Sequence, residues 1–383
     1  MSVSTLIVLA FLSAYSYFVY PVVLFLAAFF KGRRVPSRGG PVKVGSQPAR
    51  GISLIITAHD EEERIRAKLE NTLALTQPPG GCEIIVASDA SRDGTDDIAR
   101  GYPGVKLVRA EERRGKEHAQ RQAIAASRGG VLIFTDVATW LEPGALLRVA
   151  EDFRDPGVGA VSSTDALEEG GGGTGEGLYV RYEMMLRDLE TRVRGVVGLS
   201  GSFFAARREV CEAWTDELPS DFNTVFICAR LGYRAVADPL LIGRYRGIRG
   251  GQSEFQRKVR TLVRGITALF ANLELLDFTR YGLFSFQLFS HKLMRWLTPV
   301  FMIMLLLASL AGAGLGSPAA IAALALQAAF YGLAWLGWRV REARSHPAVR
   351  APLFFIQANL AVLAAWGRFL RGERISLWNP SRR

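Results

Sequence analysis

Cysteine is scarce, with three in 383 residues. Cys82, Cys211 and Cys228 lie far apart and without metal-ligand spacing, which argues against a structural zinc site and fits a reduced compartment. Neither a Gly-x4-Gly-Lys-Ser/Thr loop nor a Gly-x-Gly-x-x-Gly turn follows the first strand-like run, so nucleoside triphosphatase and dinucleotide-binding readings lose their basis. Charge is missing from residues 1–30 and again from Leu297 to Trp338. Soluble domains have little use for runs of that length.

What is present divides the chain. Residues 1–30 are rich in Leu, Val, Phe and Ala and exceed the roughly 20 residues a spanning helix needs. No basic segment precedes the run and no small-residue cleavage site follows it, so it is expected to be an anchor rather than a signal peptide. Lys31, Arg33, Arg34, Arg38, Lys43 and Arg50 come next, making residues 31–50 a basic linker and placing the domain behind it in the cytoplasm by the positive-inside rule. The net charge of +11 fits such loops and equally a phosphate-bearing partner.

From Gly51 the pattern alternates between strand and helix. I-S-L-I-I-T-A, E-I-I-V-A-S, Val105 to Arg109 and Val131 to Thr135 read as strands, the last of them buried. Glu61 to Leu75, Thr95 to Arg100 and Lys116 to Arg128 read as the helices between them. Repeated β-α-β units imply an α/β domain over residues 51–250, with a mostly parallel twisted sheet whose ligands gather at the strand ends. Those ends carry A-H-D-E-E after the first strand, S-D-A-S-R-D-G-T after the second, R-R-G-K at Arg113 to Lys116, and Asp136 at the end of V-L-I-F-T-D. Any one acidic end suits a helix cap, but several at one edge point to a site.

In this order the motifs resemble the inverting glycosyltransferases of family 2, in the membrane-bound branch with cellulose synthase, hyaluronan synthase and poly-N-acetylglucosamine synthase. The likeness runs from Ile52 to about Pro299. A-H-D-E-E stands where the family has Ala-Tyr-Asn-Glu-Glu, and S-D-A-S-R-D-G-T matches Ser-Asp-x-Ser-x-Asp-Gly-Thr. F-T-D-V-A-T occupies the metal-site position, G-S-F-F-A-A-R-R the acceptor-side segment, and P-S-D-F-N the place of the motif that holds the base. The resemblance implies a nucleotide-sugar-binding domain of the GT-A type. His59, Asp60, Glu61 and Asp89 would serve the donor, with Asp89 accepting from a uracil imide and His59 replacing a tyrosine near the base. It also puts Lys116 at the diphosphate, Asp136 at the ribose and the shell of a divalent metal (Mg²⁺ or Mn²⁺), Gly201 and Ser202 on the acceptor side, and Asp221 in the role of general base.

Departures from the family pattern narrow the reading. Ala138 removes the second carboxylate of the usual Asp-x-Asp, so the metal is expected to rest on Asp136, phosphates and water. Arg121 stands at an asparagine position. The Gln-x-x-Arg-Trp motif of processive synthases is best matched by Arg257 to Thr261, which lacks both the glutamine and the tryptophan. Another partial match, K-L-M-R-W at Lys292 to Trp296, reads as an interfacial anchor. Arg257, Lys258, Arg260 and Arg264 lie on a stretch, Gln252 to Leu276, with apolar residues at helical spacing. It is expected to lie on the membrane with its cations reaching headgroups or the donor diphosphate.

Residues 251–296 are therefore read as interfacial helices and 297–338 as a transmembrane hairpin. Residues 351–383 are read as an interfacial or re-entrant helix with a basic tail, since a full span would strand Arg368, Arg371 and Arg374 outside. Gly170 to Gly177 reads as a flap or connection. The expected protein is a multi-pass enzyme of the bacterial inner or plasma membrane with a cytoplasmic catalytic domain, moving a sugar from a UDP-type donor to a lipid-linked or growing glycan. A processive synthase and a silent nucleotide-sugar-binding scaffold of an export complex are the alternatives.

Overall fold

A computed structural model describes residues 2–31, 51–167, 174–245 and 251–374. Nearly all of the basic linker, Gly170 to Gly173 of the glycine run and the end of the basic tail lie outside the described residues. The remaining glycines of that run belong to a helix.

The strands form one eight-stranded sheet in the order β3-β2-β1-β4-β7-β6-β8-β5. β1 (Ile52–Ala58), β2 (Cys82–Ser88), β3 (Val105–Arg109) and β4 (Val131–Asp136) are the expected parallel strands. β5 (Trp140–Leu141), β6 (Val158–Leu167), β7 (Phe203–Arg207) and β8 (Arg234–Tyr245) extend the sheet with mixed polarity, β7 running antiparallel to β4. All seven residues of β1 are buried, because helices cover both faces.

One face is closed by α2 (Glu62–Leu73), α3 (Thr95–Arg100) and α5 (Ala145–Asp152), which send Ile65, Leu69, Ala99, Leu146 and Val149 onto the alternate residues Leu54 and Ile56. The other face carries α4 (Lys116–Ala126), α8 (Ser220–Arg230) and α9 (Gly251–Phe270) over Ile55, Leu132 and Phe204, with the short α7 (Arg208–Glu212) at its edge. Burying a large aliphatic side chain contributes about 1.5–3 kcal/mol, so these two layers hold the strand ends in a fixed array.

Among the described residues, four helices are long and apolar enough to cross a membrane: α1 (Val3–Phe30), α10 (Leu283–Gly314), α11 (Pro318–Arg339) and α12 (Pro347–Leu370). Phe11, Leu307, Leu326 and Trp335 stand at least half exposed on the outside of this bundle, a surface that calls for an apolar solvent. α1 continues onto the sheet domain, where Tyr20 and Leu24 pack on Leu186, Leu189 and Val193 of α6 (Thr174–Val193). At this junction His291 bridges Glu190 (2.6 Å) and Glu183 (3.0 Å), and Arg295 reaches Glu183 at 2.8 Å.

Two readings change here. Arg295 and Trp296 are buried in the junction, with Trp296 against Phe222 and the Trp366 indole donating to the Trp296 carbonyl. The K-L-M-R-W segment is thus a protein contact rather than an interfacial anchor, since Glu183 on α6 pulls the guanidinium inward. On α9 the expected membrane-facing stripe turns into the protein: Val259, Ile266 and Leu269 are buried against the core and against α12.

α12 is continuous over 24 residues, longer than the uncharged run suggests, and about 36 Å at helical rise. Its contacts follow α9 from Lys258–Phe354 at one end to Phe270–Phe369 at the other. Its beginning meets Gly337 at the end of α11, while Trp366 near its end reaches Trp296, in the fourth turn of α10 and just before its uncharged run. Both ends therefore touch the same end of the bundle.

Candidate active site

The expected strand-end array is built by interlocked loops. Asp60 and Ala90, just beyond β1 and β2, both adopt a φ of 51°, a conformation that costs a non-glycine residue energy and persists where surroundings enforce it. The enforcement is mutual: Asp60 Oδ1 accepts the Arg92 amide at 2.7 Å, and the Asp60 amide donates to Ser91 Oγ. His59 is buried with Nδ1 2.7 Å from the Asp89 carbonyl. Asp89 itself is fully buried, accepting the amides of Arg114 (3.0 Å) and Gly115 (3.0 and 3.1 Å). It holds the R-R-G-K loop, and so delivers Lys116 to the site.

A cavity of about 220 Å³ opens beyond the ends of β1 and β4. It gathers Glu61, Lys116, Asp136, Gly201, Ser202 and Asp221 from the expected residues, and Arg257, Arg260 and Arg264 from α9. His59, Asp60, Asp89 and Lys258 do not line it. Lys258 turns instead to Glu254 and stands 5.3 Å from the Phe354 ring centre.

At the centre, Lys116 Nζ donates to Asp136 Oδ1 at 2.5 Å and to the Gly201 carbonyl at 2.7 Å. A Cβ on Gly201 would stand 3.4 Å from Asp221 Oδ2, so the three groups are close neighbours. Asp221 follows the first residue of α8, whose N-cap is Pro219, and its carboxylate opens into the cavity. Its Oδ1 also accepts the Phe222 amide of the same turn at 3.1 Å.

Several groups had no sequence signal. Lys68 is buried beneath the lip, donating to Thr135 Oγ1 (3.0 Å) and the Thr139 carbonyl; burial lowers its pKa to about 7, opposed by the charge of Asp136. Burial also raises Glu61 to about 7 despite its ion pair with Arg64 at 2.6 Å. Asp165 lines the cavity from the end of β6, with Ser200 and Ser202 hydroxyls donating to Oδ1 at 2.6 and 3.2 Å. Glu117 pairs with Arg264 and accepts the Ser220 amide at 3.3 Å, so one carboxylate joins α4, α8 and α9. Arg264's charge is thereby partly committed.

Arg260 lies below its ordinary range, first through burial and then through the like charges of Arg264 and Arg257. Such crowding favours an anion. Arg121, at the departed asparagine position, bonds Asp216 at 2.8 Å together with His118, tying α4 to the loop before α8. Among the described residues, no three His, Cys, Asp or Glu side chains converge as a protein-only metal site.

Residues 53–215 match the model of Glycosyl transferase family 2. The chain is 34% identical over 140 residues to the dolichyl-phosphate beta-glucosyltransferase of Drosophila melanogaster, covering 32% of this chain and 43% of that one. It is 28% identical over 153 residues to the poly-beta-1,6-N-acetyl-D-glucosamine synthase of Staphylococcus epidermidis, covering 39% and 37%. The matched stretches thus span less than half the length of these relatives. In three dimensions the chain superposes on the mannosyltransferase PcManGT from Pyrobaculum calidifontis, solved in complex with GDP-Man and Mn²⁺, with a TM-score of 0.73 and 22% identity over 97% of this chain and 99% of that one. That likeness extends the GT-A-like fold to the helices at both ends. Asp136 at the lip, the Asp89-held loop and Asp221 opposite thus lie within or beside the segment, residues 53–215, that matches the Glycosyl transferase family 2 model.

Proposed function

We propose that this chain is a membrane-bound inverting glycosyltransferase that moves a sugar from a nucleoside diphosphate donor, of the UDP type, to a lipid-borne hydroxyl at the cytosolic membrane face. The observation that carries this reading is one cavity in which Lys116, Arg257 and Arg260 stand with the carboxylate of Asp221. Inversion needs a base on one side of the anomeric carbon and charge stabilisation on the other. Asp221 takes the acceptor proton as the hydroxyl oxygen attacks. The bond from the anomeric carbon to the diphosphate oxygen breaks, and its electron pair leaves with the diphosphate. Lys116 and the α9 arginines meet that growing charge.

The donor set fits a divalent metal that arrives with the diphosphate: Asp136 supplies one carboxylate, and phosphates and waters supply the rest, as is common for Mg²⁺. When bound, the ion adds positive charge at the leaving group. Mn²⁺ beside GDP-Man in PcManGT supports this choice.

The membrane arrangement we infer has α1, α10 and α11 crossing and α12 lying along α9 at the cytosolic surface. Both ends of α12 keep contacts at one end of the bundle, which a crossing helix of its length would not. The test is nucleoside diphosphate release by the purified protein with a panel of UDP- and GDP-sugars and membrane lipid extract. Release that depends on both one donor and the extract is expected. Absence of release with every donor would overturn the reading in favour of a silent scaffold.

A further inference from the structure

A second cavity, about 800 Å³, lies between α1, α10, α11 and α12. Its walls are apolar and aromatic, including Tyr17, Leu305, Phe330, Tyr331 and Phe355, and its volume is within the range of small-molecule sites. Arg350, in the first turn of α12, lines it and makes no ion pair among the described residues. Two packed helices, α12 and α9, stand between this cavity and the active site. Arg257 of α9 lines the catalytic cavity, while the neighbouring Lys258 places its ammonium over Phe354, a wall residue of the apolar one. The way from the hydrocarbon-like walls to Asp221 thus passes α12 and α9, with Lys258 and Arg257 along it.

We infer that this cavity holds the hydrocarbon chain of the acceptor, an anionic lipid whose head passes Arg350 and Lys258 to reach Asp221; the inference rests on the lipid-acceptor reading above. Apolar walls favour the chain by roughly the area they shield, and the cations favour a phosphate-bearing head over a zwitterionic one. The inference also gives α12 a purpose, because it walls the lipid cavity and packs on α9, which walls the catalytic one.

The test uses the full chain in phosphatidylcholine nanodiscs containing phosphatidic acid with a diazirine on its acyl chain. After illumination, labelled residues should cluster at Tyr17, Phe330 and Phe355 beyond the level at the outward Leu307 and Ile321. Ala351→Trp, which sets a bulky ring into the cavity, should reduce that excess. With lipid extract as acceptor, the same variant should raise KM for the extract by roughly tenfold or more while leaving nucleoside diphosphate affinity unchanged. Arg350→Gln, a milder change that leaves the walls intact, should reduce labelling by the phosphatidic acid probe but not by its diacylglycerol counterpart. Labelling no greater in the cavity than at Leu307 would overturn the inference, as would an unchanged KM in an Ala351→Trp protein with reduced cavity labelling, since the occupant would then be a structural lipid. Lack of transfer to the extract by the unmodified protein would instead overturn the proposed function, and the acceptor role with it.

Discussion

Replacing Lys116 by Met should pull metal and donor affinity in opposite directions. In the free protein the Lys116 ammonium occupies Asp136 Oδ1 at 2.5 Å, the same carboxylate proposed to meet the divalent ion. A doubly charged ion held about 4 Å from that ammonium meets a repulsion of about 2 kcal/mol at the dielectric of water and about 8 kcal/mol at an effective value of 20. Side-chain exposures of 7% for Lys116 and 21% for Asp136 place the pair between these limits. Lys116→Met should therefore tighten Mn²⁺ binding without nucleotide by roughly tenfold or more, about 1.4 kcal/mol. The same change removes a charged donor to the diphosphate, a loss of about 1.5–3 kcal/mol, so nucleoside diphosphate binding should weaken roughly 10- to 150-fold. Calorimetry of Mn²⁺ and of nucleoside diphosphate on both proteins measures each arm, with thermal unfolding as a check that the variant is folded. Unchanged Mn²⁺ affinity in a folded variant would refute the view that Lys116 guards the metal's carboxylate.

Lys68, with a folded pKa near 7 against 10.5 in a free chain, is charged more readily when unfolded; stability should rise with pH between those values. The full contribution is roughly 5 kcal/mol, and Lys68→Met should flatten the rise in denaturation curves taken from about pH 7 to 10. Glu61 acts in the opposite sense: stability should fall as pH climbs from 4.5 to about 7, and Glu61→Gln should remove that fall. Glu117→Gln leaves Arg264 without its carboxylate between α4 and α9; a loss of about 3–5 kcal/mol is the scale of breaking a buried pair, and stability unaltered in thermal unfolding would argue against the joint. In intact cells, cysteine introduced at Ser317 should react with an impermeant reagent while one at Arg371 stays protected. Reaction at both sites would mean that α12 crosses the membrane.

Half of the sheet was legible because β1, β2 and β4 carry apolar runs that end in acidic loops and β3 falls at the regular β-α-β spacing between them. β6 and β8 were not: β6 buries Ser162 and Ser163, and β8 carries Pro239 and Gly243 within the strand, residues that read as turn. In the site, Asp136, Lys116 and Asp221 stood out because motif order and strand position agree. Lys68 sits among Arg66, Glu70 and other charges and reads as a solvated helix face, whereas the fold seats it under the β4 lip. Asp165 and Glu117 take their meaning from partners distant in sequence, Ser200 and Ser202 for one and Arg264 for the other. Asp89 was visible as a strand-end acid, but its bonds to the Arg114 and Gly115 amides depend on a loop conformation that no spacing rule encodes.

The central claim is that Asp221 removes the acceptor proton in a cavity whose cations hold the diphosphate. Asp221→Asn keeps the size of the side chain and changes its basicity, so the decisive measurement is transfer rate at saturating donor and lipid extract, alongside nucleoside diphosphate affinity, in the variant and the unmodified protein. The account predicts a fall in kcat of roughly 100-fold or more, the scale of losing a general base, with affinity changed little. A kcat equal to that of the unmodified protein would contradict it.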